Sequence, residues 1–209
     1  MEKIKILFAH GIFRIVKWVF LILIAAFVVL VIVRAFYFYN LDKTNAQVEK
    51  IHATKLTLDD VMGKNLPPDP GEEADKTIAG IDANNNSIRD DVELAVFKEY
   101  PNSAKTRAVL LQYALALQME VIQPIINQDI VTEVIREQSR GYECVSEILP
   151  RISLGEFIKR GDELRSFVED RQINTLERKQ QRKDFTEKIG SYNESENKVC
   201  DIDYLTLPN

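Results

Sequence analysis

The sequence predicts an all-α fold: an N-terminal single transmembrane helix followed by an extracytoplasmic helical bundle. Three observations carry this reading. From Trp18 to Val33 there are 16 consecutive apolar residues. Further on, apolar residues recur at helical spacing in segments that open on Ser, Thr or Asn and stop at Pro or Gly. Between these regions an oxygen-rich loop, Gly80 to Glu93, leads directly into one of the helical segments.

The apolar run accounts for about 24 Å of helix, and continuing it to Tyr37 gives about 30 Å, the thickness of a bilayer core. Trp18 and the Tyr37, Phe38, Tyr39 cluster stand where aromatic belts form, and Arg34 is near enough to the end to extend its charge into the headgroups. Residues 1–17 are therefore read as a cytoplasmic basic flank and 18–39 as the membrane anchor. Lys3, Lys5, Arg14 and Lys17 crowd the first flank, whereas Asp42, Lys43, Glu49 and Lys50 mix on the other. The positive-inside rule then predicts a single-pass inner-membrane protein with a cytoplasmic N-terminus and a periplasmic C-terminal domain. A cleaved signal peptide is the competing reading, with Val33, Arg34, Ala35 as a permissive cleavage site. Either reading exports the remainder.

The overall charge of −5 divides unevenly. The first 39 residues hold five bases against Glu2 alone, a net of +4, which leaves −9 for the rest. That acidic remainder argues against nucleic acid as a partner. Cys144 and Cys200, the only cysteines, both lie in the exported portion, and such a pair in an oxidising compartment is expected to form a disulfide.

Residues 40–79 read as a stalk and Pro-rich linker. Asn40 to Leu56 is polar, with few apolar residues. Thr57 with Asp60 can start a short helix that Gly63 ends, and Pro67, Pro68, Pro70 and Gly71 extend the chain. The loop at 80–93 follows, and then a helical domain, 91–190. Its first helix runs from Asp91 to Tyr100 and stops at Pro101. Ser103 opens a core helix that is apolar nearly all round, and Pro124 marks its bend or end. Residues 128–149 form the next helix, closed by Pro150. Ser153 with Glu156 opens another, and Asn174 with Glu177 could cap the last, which Gly190 would end. That last helix carries Arg178, Lys179, Arg182 and Lys183, read mainly as a solvated face and otherwise as a patch for an acidic partner or lipid headgroups. The tail, 191–209, is expected to be loosely ordered except where the disulfide pins it.

Hard cations take six to eight oxygens, and a twelve-residue loop supplies them from side chains at positions 1, 3, 5, 9 and 12 and a carbonyl at 7. Asp82, Asn84, Asn86, Asp90 and Glu93 fall at the five side-chain positions, and Ile88 falls at the carbonyl position. The stretch resembles EF-hand-like loops, especially the variant of thrombospondin type 3 repeats and extracytoplasmic bacterial proteins. The surrounding LPPDPGE and GIDANNN pattern is similar to that of bacterial membrane-anchored envelope proteins. The resemblance implies Ca2+, held with a dissociation constant on the order of 10⁻⁴ to 10⁻³ M by three carboxylates and two amides. Two departures stand out. Ser87 replaces the glycine of position 6, where the chain needs positive φ, and Arg89 takes the usual apolar position 8. Without an ion, the stretch would be an Asn-rich turn whose acids cap the following helix.

Enzymatic signatures are sparse. His10 and His52 are the only histidines, one on the basic flank and one in the stalk, and no nucleophile elbow, phosphate loop or zinc motif occurs. The expectation is a protein without catalytic activity that binds or scaffolds an envelope partner. A peptidoglycan-cleaving enzyme working through carboxylates is the alternative. Glu120, Glu133 and Glu137 are its candidate acids, although each is expected to be an ordinary surface residue. A protective protein that binds an exported toxin is a third reading.

Overall fold

The computed structural model describes residues 2–125, 127–193 and 198–208; for residues 2–12 it describes the backbone alone. The side chains of Lys3, Lys5 and His10, and tail residues 194–197, lie outside the described residues. The described residues form helices without strands: α1 (Glu2–Ala53), α2 (Leu58–Met62), α3 (Asp90–Glu99), α4 (Ala104–Ile122), α5 (Gln128–Glu147), α6 (Leu154–Gln172) and α7 (Leu176–Thr186). Short 3-10 turns occur at Gly71–Asp75 and Tyr204–Thr206. The chain divides into two units, residues 1–46 and 47–209.

In the first unit every residue from Phe13 to Asn40 is exposed, including the whole apolar run. This N-terminal helix is long and apolar enough to cross a membrane. Beyond the apolar run, the Arg34 guanidinium lies 5.1 Å from the centre of the Phe38 ring, and the Lys43 ammonium lies 4.7 Å from that of Tyr39.

The second unit is built round α4. Its residues Arg107 to Val121 are buried without a break, so the all-round apolar pattern is satisfied by α2, α3, α5, α6 and α7 packing on its different sides. Ser103 caps it by accepting from Thr106 N–H. Arg107 spends its buried guanidinium on the carbonyls of Val61, Tyr100 and Pro101, tying α2 and the end of α3 to the start of α4. Gly141 of α5 passes so close to α4 that a Cβ there would lie 3.1 Å from Tyr113 Cα.

The segment expected as a stalk is divided between the units. The second unit begins at Gln47, α1 remains helical to Ala53, and Ile51, Leu56 and Val61 are buried in its core. Sparse apolar residues suffice because each enters a core supplied mainly by other elements. The short helix has the expected ends: Thr57 and Asp60 form a reciprocal capping box, and Gly63 closes it at φ 69°.

The last helix departs from expectation at both ends. Thr175, not Asn174, caps α7 by accepting from Arg178 N–H, because the Asn174 amide is taken by Asp75 and Arg178. The helix stops at Thr186, where the chain tightens into bonds from Lys188 to Phe185 and from Ile189 to Thr186, ahead of Gly190.

Cys144 and Cys200 are joined in a disulfide. The tail beside it is held by more than that bond. Asp201 pairs with Arg140 at 2.7 Å and accepts from Leu56 N–H, Gln112 holds Val199 and Asp201 by both ends of its amide, and Leu207 is buried. These partners come from α4, α5 and the segment after α1, which is why the tail's polar composition did not announce its packing.

Candidate functional site: the oxygen-rich loop

The loop turns as its spacing demands. Both Asp82 carboxylate oxygens accept backbone N–H groups, from Asn86 at 3.0 Å and Ser87 at 2.9 Å, folding the chain back over Asp82. Ser87 stands at φ 66° and Asn85 at φ 58°, the left-handed conformation that the motif reserves for position 6. Asn86 Oδ1 accepts from Ile88 N–H, Asp90 accepts from Ala83 N–H at 3.1 Å, and Asp90 N–H returns a bond to Ile81 C=O. The Ile88 side chain is fully buried and plants the loop on the core.

Glu93 is the point of convergence. It is 1% exposed, although it lies in the first turn of α3, and its Oε2 accepts from Asn84 Nδ2 at 3.0 Å and Asn86 Nδ2 at 3.1 Å. Burial pushes its carboxyl up to about 7; the two amides oppose that rise, while Asp60 and Asp90 add to it. Burial likewise raises Asp90, opposed by Ala83 N–H and reinforced by Asp82 and Asp91. Asn84 Oδ1 is buried with no hydrogen-bond partner. The loop thus brings Asn84, Asn86 and Glu93 into direct contact, whereas Asp82 and Asp90 are engaged with backbone N–H groups. Among the described residues no three His, Cys, Asp or Glu side chains form a metal-holding group.

Next to the loop lies a charged assembly that the sequence reading did not find. Arg89 and Arg178 are both fully buried. Arg89 donates to the carbonyls of Arg171 and Gln172 and pairs with Asp91 at 2.6 Å. Arg178 donates to the carbonyls of Ala74, Thr77 and Ile78, and also to Asp75. The Asn174 amide and, after it, Arg178 hold the Asp75 carboxyl below its usual range. Together they fasten the segment before the loop, and the loop itself, to the junction of α6 and α7. The signal available in sequence was Arg89 at an apolar motif position. Reading α7's bases as one solvated face was wrong for Arg178, whose backbone partners lie about a hundred residues away.

The three candidate acids also have distinct surroundings. Glu133 is half-buried and meets His52 at 2.8 Å. Glu137 is buried between Lys55 and Arg140, and Glu120 is 1% exposed. Glu120 and Glu137 therefore correct the expectation of surface residues; long-range partners on other elements make their burial tolerable.

The fold and loop define an all-helical protein with an N-terminal helix capable of crossing a membrane. No family model, curated protein or solved structure matches the chain.

Proposed function

We propose that this chain is a single-pass inner-membrane protein whose periplasmic helical domain binds Ca2+ through Asp82, Asn84, Asn86, Asp90, Glu93 and the Ile88 carbonyl, and serves a structural or protein-interaction role in the envelope. The observation that carries the calcium reading is the buried Glu93 carboxylate beside the donorless Oδ1 of Asn84. Two buried oxygens short of positive charge suit a hard cation. An ion would compensate the burial of Glu93 and tie the loop to the first turn of α3. The basic N-terminal flank supports the orientation, and the disulfide supports an oxidising compartment. The envelope partner is of unspecified identity, and we assign no catalytic activity and no nucleic-acid binding.

The test is a calorimetric Ca2+ titration with thermal melting of the full chain in nanodiscs, beside Asp82→Ala and Glu93→Ala. Saturable binding that raises the melting temperature of the parent alone is expected. No heat and no shift at several millimolar Ca2+ would reduce the loop to a helix-capping turn.

A carboxylate-based peptidoglycan-cleaving enzyme is the second reading. One observation favours it: Glu120 is buried behind Glu169 and Arg182, which line a cleft of about 520 Å³. Release of soluble fragments from purified peptidoglycan, abolished in Glu120→Gln, would establish it.

A further inference from the structure

We propose that Glu120 is a buried proton-binding site that latches α7 onto the core, closed while the carboxyl keeps its proton and loosened when it is released. Glu120 projects from α4 among groups supplied by α5, α6 and α7. Arg182 of α7 approaches its Oε2 with Nε at 3.6 Å, too far for a hydrogen bond. The same guanidinium donates to Glu169 of α6 at 3.2 Å, and the other Glu169 oxygen accepts the Tyr113 hydroxyl of α4. From α5 comes the neutral Gln138 amide, hydrogen-bonded to Glu120.

Two features of this node point to a proton. Glu120 Oε2 and Gln138 Oε1 are both buried acceptors without a donor. A proton on Glu120, with the Gln138 amide turned over, lets the carboxyl donate to Gln138 Oε1. The charges agree. With both carboxylates ionised, the buried Glu120 and the half-buried Glu169 share one guanidinium; with Glu120 neutral, Arg182 and Glu169 form a balanced pair that leaves Tyr113 its acceptor. Releasing the proton leaves a buried carboxylate whose Oε2 has no donor, a charge that water reaches only when α7 and the wall of the adjoining cleft move away.

Burial pushes the Glu120 carboxyl from 4.5 up to about 7; Arg182 and the Gln138 amide oppose the rise and Glu169 adds to it. Because the closed form binds the proton more tightly than the open form, closure is fully favoured below about pH 4.5, weakens as pH rises toward 7, and levels off above that.

The test is hydrogen exchange on the full chain in nanodiscs, expressed as protection factors corrected for the intrinsic pH dependence. It is made in a Glu93→Gln background, since Glu93 titrates in the same range. Protection of the Arg182 to Phe185 amides is expected to fall about tenfold per pH unit between 4.5 and 7, the slope of one released proton. Glu120→Gln should flatten the profile. Glu169→Gln should move its midpoint to lower pH, because Arg182 is then left to Glu120 alone. A flat profile in the parent overturns the proposal, as does an unchanged slope in Glu120→Gln. If Glu120→Gln does not fold, a midpoint in Glu169→Gln that stays in place or rises overturns it as well.

Discussion

At position 87 the backbone stands at φ 66°, where a Cβ crowds the neighbouring carbonyl. Ser87→Gly relieves that contact, at the cost of a more flexible unfolded chain, and should stabilise the protein by about 0.5–1 kcal/mol. Thermal melting without added metal checks this, and an unchanged or lower melting temperature would show that the serine is not strained. Asn85 stands at φ 58°, but Asn tolerates the left-handed region, so Asn85→Gly should bring little gain. At this scale the turn was legible: positive φ was expected at position 87, and Ser87 stands there at φ 66°. The neighbouring Arg89 was not legible in the same way. An arginine written in a surface loop is usually solvated, and the carbonyls of Arg171 and Gln172, together with Asp91, Asp75 and Asn174, make its burial tolerable.

Among the elements, α4 and α5 pack extensively, and Gly141 permits their close contact at Tyr113. A valine side chain there would have to displace the Tyr113 backbone, since even a Cβ falls 3.1 Å from Tyr113 Cα. Gly141→Val should cost about 2 kcal/mol by overpacking, even though it removes a flexible glycine from a helix interior. Denaturant unfolding measures that cost, and a neutral result would mean the helices can separate freely. Helix starts were largely readable, because Thr57, Ser103 and Ser153 satisfy N–H groups only three residues away. Asn174 was misread for the opposite reason. Its amide belongs to Asp75, 99 residues away in sequence, so the adjacent Thr175 performs the capping.

For the molecule as a whole, the Cys144–Cys200 bond closes a loop of 56 residues. Replacing both cysteines by alanine should cost roughly 4 kcal/mol in the chain-entropy model, measured by unfolding under non-reducing conditions. The loss should fall short of that figure if Arg140–Asp201 and Gln112 already confine the tail in the unfolded ensemble. These contacts also explain why an acidic domain contains so many buried bases. Arg89, Arg107, Arg140, Arg165 and Arg178 are all buried, and each serves carbonyls or carboxylates from other parts of the chain. Net charge described the surface; it did not describe this internal arrangement.

By itself the sequence determined the helical class, the apolar N-terminal helix, most helix starts, the core helix and the cysteine pair. Those properties depend on residue type and on spacings of a few positions, which carry 3.6-residue periodicity and capping chemistry directly. Tertiary structure decided which charged residues are buried, where the compact unit begins, how the tail is held, and that Glu120 and Glu137 lie inside. Each of those outcomes depends on a partner tens of residues away, because burying a charge or an amide is affordable only where another element supplies the matching group.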